Sequence, residues 1–183
     1  MKKAWLHFKK ICLHKYWVGK YCFQVGLYWR GIKHDLSKLS FTEFIESIQY
    51  YNGKQSPIEK AKEKQGYSKA WLHHKGQNDH HWEYWMDGGK CLEMPFEAAA
   101  EMLCDYLGAG RAYMEKKFSY AKEYEWWQNY KAKELIHKNT AAFIEKCLKD
   151  LYICEKHDCR DYDWFNKDYL IVTYCQTGGK INE

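Results

Sequence analysis

The chain has 183 residues, of which 46% are hydrophobic and 29% are charged, with only 12 glycines and 2 prolines. This length is enough to bury one hydrophobic core without disulfides or a structural metal. The shortage of glycine and proline excludes collagen-like, linker-rich and largely disordered chains, and it favours helices over an all-β fold. The net charge of +5 is spread along the chain, which does not favour a nucleic-acid partner but is compatible with an anionic small-molecule substrate.

The sequence lacks the usual signals of a secreted or membrane protein. Lys9, Lys10 and His14 interrupt the apolar segment that a signal peptide needs. No apolar run approaches the ~18 residues of a membrane span. The eight cysteines are dispersed and contain no C-x-x-C motif, a pattern typical of reduced thiols. We therefore expect a cytoplasmic protein that does not bind a membrane.

Apolar residues at helical spacing, together with capping signals, predict an all-α bundle of about six to eight helices. The first helix is predicted over residues 4–31, with Gly19 as a candidate position for a bend. Gly76 is expected to end a helix, and Pro95 is expected to occupy the first position of one. The later helices are predicted at FTEFIESIQYY (after the capping box that begins at Ser40), IEKAKEKQ, SKAWLHHK, HHWEYWM, PFEAAAEMLCDYLGAGRAY, EYEWWQNYKAKEL and TAAFIEKCLKDLYI.

The domain organisation is predicted to be simple. Residues 1–156 form one helical domain, and residues 157–183 form a C-terminal tail that packs on it. We expect this tail to be irregular or to contain a β-strand at YLIVTY, where β-branched and aromatic residues are concentrated. The oligomeric state stays open.

Histidine and aspartate residues form an ordered series along the chain. The series consists of His14, His34, Asp35, His73, His74, His80, His81 and Asp105. Imidazole nitrogen and carboxylate oxygen together suit a divalent transition metal such as Fe, Mn, Zn or Co. The sequence therefore predicts a metal centre with one or two ions.

The spacing within the series supports a shared site. His73 and His80 are seven residues apart, as are His74 and His81, so each pair can lie on one helix face. Adjacent histidines point about 100° apart on a regular helix, so which member of each pair binds stays open. Asp105 interrupts the apolar run AAAEMLCDYLGAG, and a metal offsets the cost of burying its charge. The alternative for any single histidine is a surface residue or a hydrogen-bonded core residue.

The order H…HD…H…HH…D resembles the HD-domain superfamily, a helical metal-dependent fold. The segment HDLSK at residues 34–38 is similar to the HD-x-x-K of the HD-GYP branch, and HHWEYWMDG resembles its HHE-x-x-DG with one residue inserted. No GYP follows, so cyclic-dinucleotide hydrolysis is not implied. Lys38 also replaces the glutamate of the single-metal nucleotidases in the superfamily.

Three longer stretches resemble a family of short bacterial and phage proteins to which no reaction is assigned. The similarity covers about residues 1–155 and includes HDLSKLSFTEF, GYSKAWLHHKGQNDHHWEYWMD and MPFEAAAEMLCDYLGAGRAY.

The superfamily resemblance implies an enzyme, a metal-dependent phosphohydrolase that acts on a nucleotide or another phosphorylated small molecule. Asp35 would then bind the metal and orient the attacking water. Lys38 and Arg111 are candidates for binding phosphate, and Glu83 is a candidate general acid or base or a partner of His80 or His81. Asn78 either caps a helix or binds substrate.

Two other functions remain open. The HD superfamily also includes di-iron oxygenases built on the same series, and the number of histidines would suit two irons. The second alternative is a non-catalytic regulatory protein that keeps its metal. The aromatic residues Trp71, Trp82, Tyr84 and Trp85 are compatible with stacking on a nucleobase, but their spacing favours core packing.

Overall fold

The computed structural model describes residues 2–53, 55–159 and 161–181, and most of them are helical. The α-helices are α1 (Lys2–Gln24), α2 (Tyr28–Lys33), α3 (Phe41–Tyr50), α4 (Pro57–Gln65), α5 (Lys69–Gln77), α6 (Phe96–Met114), α7 (Tyr120–Asn129), α8 (Lys138–Lys156) and α9 (Lys167–Gln176). Short 3-10 helices cover Leu36–Leu39, Trp82–Trp85, Glu115–Lys117 and Lys131–Leu135. Strands β1 (Met86–Asp87) and β2 (Lys90–Cys91) form a small antiparallel pair. The predicted all-α class is confirmed, although the described residues form nine α-helices rather than six to eight.

Helix α6 forms the centre of the core. It packs mainly against α1 and also contacts α7, α8 and α9. Leu103 and Leu107 of α6 are fully buried together with Phe143 of α8 and Leu170 of α9. Burying each side chain of this size stabilises the fold by about 1.5–3 kcal/mol. The helix that carries Asp105 is therefore held on several sides.

A glycine permits the close approach of α1 and α6. A Cβ atom added at Gly108 would lie 2.3 Å from Cγ2 and 2.8 Å from the backbone nitrogen of Val18, so only glycine fits at this crossing. His14 lies one turn before Val18 on α1, and Asp105 lies about one turn before Gly108 on α6. The crossing therefore brings His14 and Asp105 together.

Helix α3 packs against α4 and α5 and also contacts α1. The predicted capping signals act as expected here: the Ser40 hydroxyl accepts a hydrogen bond from the Glu43 amide, and the Ser68 hydroxyl accepts one from the Trp71 amide. Helix α5 continues through Gly76 to Gln77, so the prediction that Gly76 ends it was wrong. Glycine in an exposed helical position costs only about 1 kcal/mol, which neighbouring contacts can offset.

The other differences from the predicted elements have local causes. The first predicted helix is divided after Gln24 rather than bent at Gly19, because Gly26 adopts a left-handed conformation with φ of 73°. Pro95 is the residue before α6 and not its first residue. The segment HHWEYWM forms only the 3-10 helix Trp82–Trp85 before β1, and EYEWWQNYKAKEL is divided between α7 and the 3-10 helix Lys131–Leu135.

The C-terminal segment YLIVTY is helical rather than extended, so the predicted strand was wrong. The Asn166 side chain caps α9 by accepting a hydrogen bond of 3.1 Å from the Tyr169 amide. Leu170, Thr173 and Tyr174 are buried at spacings of three and four residues, and this packing outweighs the β-propensity of the segment. None of the described helices is long and apolar enough to cross a membrane.

Candidate metal centre

Two groups of potential metal ligands meet at Asp35. We call His14, His34, Asp35 and Asp105 the first cluster, and Asp35, His74, His80 and His81 the second cluster. Within each cluster the candidate ligand atoms all lie within 4.8 Å of one another. All these residues are buried except His81, which is partly exposed.

The first cluster joins α1, α6 and the end of α2. His14 Nε2 lies 3.0 Å from Asp105 Oδ1 across the helix crossing. His34 Nε2 lies 3.2 Å from His14 Nε2 and 3.4 Å from Asp105 Oδ1. Two ligands at about 2.1 Å from one ion are about 3.0–3.4 Å apart at octahedral or tetrahedral angles. The first cluster therefore has the spacing of ligands around one ion.

Asp35 belongs to both clusters through its two carboxylate oxygens. Its Oδ2 lies 3.2 Å from Nε2 of both His14 and His34, while its Oδ1 lies 3.2 Å from His74 Nε2 and 3.4 Å from His80 Nε2. Asp35 has a left-handed backbone with φ of 55°, which aspartate tolerates better than most residues. This irregular backbone allows the consecutive His34 and Asp35 to converge.

The second cluster is built by α5 and the loop that follows it. His74 Nε2 lies 2.9 Å from His81 Nε2, so these two histidines meet as the seven-residue spacing predicted. The loop is not helical at residues 78–81, however, and both His80 and His81 reach the cluster. His73 lies outside both clusters because it points away from His74 on the regular helix α5.

Two glutamates that the sequence analysis did not propose hold the histidine rings. His34 Nδ1 lies 2.8 Å and His80 Nδ1 lies 3.2 Å from Glu101 Oε1, and Arg30 Nε donates to Glu101 Oε2. A carboxylate that accepts the Nδ1–H fixes the tautomer and leaves the Nε2 lone pair for a metal. Glu101 is also charged within the apolar segment of α6, which was the signal that identified Asp105.

Glu43 holds histidine rings in the same way as Glu101, on the other side of the site. Its two oxygens lie 2.7 Å from His73 Nδ1 and 2.8 Å from His74 Nδ1. His73 is therefore a partner of the carboxylate that supports His74. Because Glu43 also belongs to the capping box of α3, its sequence context suggested only a structural role.

The electrostatics of the centre favour bound positive charge. Burial raises the pKa of Asp35, but His34, Lys38 and His74 outweigh it and hold this pKa well below its ordinary value. For His34 the directions are reversed. Burial lowers its pKa, but Asp35 and hydrogen bonds to Asp105 and Glu101 outweigh burial and raise the pKa well above its ordinary value. A divalent cation is able to replace the protons that such histidines hold.

Two unsatisfied atoms test whether the residues fit a metal. Asp35 Oδ1 and His80 Nε2 are both buried, 3.4 Å apart, and neither has a hydrogen-bond partner among the described residues. Buried polar atoms without partners are costly and need a compensating ligand. Nitrogen and carboxylate donors together suit a transition ion. The donor atoms of both clusters therefore suit a transition-metal ion, and the clusters can hold one.

A cavity of about 260 Å³ opens onto the centre. His14, His74, His81 and Asp105 line it together with Lys38, whose Nζ pairs with Asp35. Burial lowers the pKa of Lys38, but Asp35 and Asp105 outweigh this effect and raise the pKa to about 12, so the side chain is a fixed cation. We call this space the metal cavity. The metal cavity therefore has a permanent cation beside the clusters, which suits an anionic ligand.

Three other candidate residues do not reach the metal cavity. The Arg111 guanidinium lies over the rings of Trp17, Phe118 and Tyr120 and donates to the Tyr21 hydroxyl. Asn78 donates to the Ser37 hydroxyl and to the His74 carbonyl, behind the second cluster. Glu83 lies in the 3-10 helix Trp82–Trp85, and burial raises its pKa.

The aromatic residues near the histidines have different environments. Trp71 lines the metal cavity, and its ring packs edge-on against His81 with centroids 5.0 Å apart. Trp82 is 7% exposed and belongs to the hydrophobic core, as the spacing favoured.

Comparison with known proteins identifies the family but no activity. No curated protein and no solved structure matched the chain. One family model, described as "Family of unknown function (DUF5662)", matches residues 3–150. This range includes every residue of both clusters as well as Glu43 and Glu101. The match covers most of the chain, and the protein therefore belongs to family DUF5662.

Proposed function

We propose that this protein is a metal-dependent phosphohydrolase of the HD type, which acts on a nucleotide or another phosphorylated small molecule. The observation that carries the proposal is the position of Asp35, because one carboxylate oxygen faces each cluster. A carboxylate shared in this way can hold two ions close together. Two-metal sites of this kind are common in enzymes that cleave phosphate esters.

The ligand sets follow from the geometry. His14, His34, Asp35 and Asp105 would hold one ion, and Asp35, His74, His80 and His81 would hold the other. The mixture of nitrogen and oxygen donors favours Fe, Mn, Zn or Co. When bound, such ions neutralise charge on the phosphate and lower the pKa of a bound water to about 7.

Lys38 and Asp35 supply the remaining parts of the reaction. Lys38 places a permanent cation in the metal cavity, where it binds a phosphate oxygen. Asp35 orients the water whose oxygen forms the new bond to phosphorus. The ester P–O bond breaks as this bond forms, and the water proton is transferred to the leaving oxygen.

The first experiment measures phosphate release by protein loaded with Mn²⁺ or Fe²⁺, using a panel of nucleotides and other phosphoesters. We expect turnover of at least one substrate, reduced at least about 100-fold by Asp35→Asn, since even residues that only support a ligand contribute about 10–100-fold. Lys38→Gln should also reduce turnover, whereas Lys33→Gln, an exposed lysine at the end of α2, should not. Absence of phosphate release by metal-loaded protein across the panel would overturn the proposal.

A di-iron oxygenase is the second candidate, and the five histidines of the two clusters favour it. Anaerobic purification followed by ferrous iron and a measurement of oxygen consumption separates it from the hydrolase. The third candidate is a regulatory protein without turnover. In that case His34→Ala and Asp35→Ala would leave its biological effect intact.

A further inference from the structure

A second and larger cavity adjoins the metal cavity. It measures about 670 Å³ and lies between α6, α7 and the residues that begin α4. Ser56, Ala109 and Tyr113 line both cavities, so the two spaces share a wall. Along α6, Ala109 lies about 6 Å and Tyr113 about 12 Å beyond Asp105. A small molecule that extends along α6 past Ala109 and Tyr113 would span both cavities.

Aromatic rings form much of the wall of this second cavity. Trp126 and Tyr130 are stacked with centroids 4.9 Å apart, and Tyr106 packs edge-on against Trp126 at 5.1 Å. Trp126 remains 41% exposed and Tyr113 remains 44% exposed, so part of each ring is accessible to a ligand. We call this space the aromatic cavity. Such rings provide faces on which a flat organic group can stack.

One buried carboxyl group faces the aromatic cavity without a partner. Glu123 is only 4% exposed and lines the cavity, yet its side chain makes no hydrogen bond or ion pair with the described residues. It lies against α6, where a Cβ atom added at Gly110 would be 1.8 Å from Glu123 Oε1. Lys122 also lines the cavity, but its ammonium donates to the Lys117 carbonyl. The packing therefore fixes the position of the carboxyl group but provides no hydrogen-bond partner for it.

We propose that the aromatic cavity binds the planar, N–H-bearing heterocycle of the substrate, the chemistry of a nucleobase, with Glu123 forming its hydrogen bonds. This inference rests on the proposed function, since the phosphate of the same molecule would lie in the metal cavity. If the aromatic cavity binds the base and the metal cavity binds the phosphate, the substrate is a nucleotide or a close analogue of one.

The chemistry of Glu123 favours a heterocycle over an organic ammonium ion. Burial raises the pKa of Glu123 to about 8, so the carboxyl group is largely protonated at neutral pH. A protonated carboxyl group offers one donor and one acceptor side by side. The edge of a nucleobase presents the complementary donor and acceptor, whereas an ammonium ion offers donors only.

Free nucleosides are the probes for this proposal, because they lack the phosphate and require neither metal nor turnover. We expect calorimetric titration of the full chain at pH 7 to show binding of at least one of adenosine, guanosine, cytidine and uridine. Glu123→Met should weaken nucleoside binding at least tenfold. Glu123→Gln keeps a donor and an acceptor, so it should retain most of the affinity of the unmodified chain. Glu125→Met, at an exposed position of the same helix, is the matched control.

The outcomes separate the two proposals. Binding of no nucleoside, unchanged affinity in Glu123→Met, or binding of choline in place of nucleosides would overturn the assignment of the aromatic cavity. Nucleoside binding by a protein that releases no phosphate would support this assignment while contradicting the hydrolase. Removal of an unpaired buried carboxyl group should not unfold the chain, and circular dichroism of each variant checks this.

Discussion

At the scale of single residues, the site is organised by carboxylates that each contact more than one histidine. Asp35 presents one oxygen to each cluster, and Glu101 accepts from the Nδ1 atoms of His34 and His80 while it pairs with Arg30. The ring orientations of these histidines are therefore fixed by residues outside the ligand sets. The aspartates and histidines of the two clusters could supply the ligand atoms for a metal ion, and Glu101 and Glu43 orient the histidine rings.

The role of Glu101 leads to a prediction about metal affinity. Glu101→Gln should weaken metal binding by about 10–100-fold, because the amide no longer accepts two charge-assisted hydrogen bonds. Titration with Zn²⁺ or Mn²⁺ against a competing chelator measures this change. Glu97→Gln, at an exposed position one turn earlier on α6, is the control and should bind metal as the unmodified chain does. Equal affinities for all three proteins would contradict the role of Glu101.

At the scale of helices, the crossing of α1 and α6 determines where the first cluster lies. Gly108 allows α6 to contact the backbone of α1 at Val18, and this contact sets the 3.0 Å separation of His14 Nε2 and Asp105 Oδ1. The same helix carries Gly110, against which Glu123 of α7 packs. Two glycines close together on α6 therefore position both cavities.

A substitution at the crossing tests this arrangement. Gly108→Ala should destabilise the protein by about 1–3 kcal/mol, the range for overpacking, and should also weaken metal binding because α1 moves away from α6. Urea denaturation and metal titration measure the two effects. Gly76→Ala is the matched control, since a Cβ atom there meets nothing within 4 Å and the change should stabilise α5 by about 0.5–1 kcal/mol. Tight metal binding by Gly108→Ala would show that the crossing does not set the ligand positions.

At the scale of the whole molecule, the two cavities lie along α6 and share a wall at Ala109 and Tyr113. The metal cavity carries the permanent charges, and the aromatic cavity contains a buried carboxyl group that is largely neutral at pH 7. One end of the site is thus suited to an anionic group and the other to a flat, weakly polar group. The fold stabilises both ends through one central helix.

The unpaired carboxyl group of Glu123 also predicts how the stability of the fold depends on pH. Its pKa is about 8 in the folded protein against an ordinary value of 4.5, so the folded state keeps a proton that the unfolded state loses. Its contribution to the free energy of unfolding is therefore fully present below pH 4.5, and it declines between pH 4.5 and 8 by up to about 1.4 kcal/mol per pH unit.

The comparison with Glu123→Gln isolates this contribution from the other titrating groups. The variant should gain stability relative to the unmodified chain as the pH rises from 5 to 8, because its amide does not titrate. Urea denaturation at several pH values measures the difference. A difference that stays constant over this range would show that Glu123 is already ionised in the folded protein.

The sequence alone was sufficient to predict the helical class and most members of the two clusters that could hold a metal ion. Helical spacing and caps such as Ser40 and Ser68 act over a few residues, so they can be identified without the fold. The histidines and aspartates were identifiable because imidazole and carboxylate groups in one ordered series together suit a transition metal.

Only the tertiary structure decided which side chains meet. The convergence of both His80 and His81 on one cluster depends on contacts between distant segments, as does the support that Glu101 gives to His34 and His80. Packing against the core turned YLIVTY into α9, and aromatic rings hold Arg111 away from the clusters. The unpartnered carboxyl group of Glu123 also follows from packing, because a glutamate on an amphipathic helix has no sequence signal for burial. Residue type and local spacing thus determined the ligand chemistry, whereas long-range packing determined its geometry.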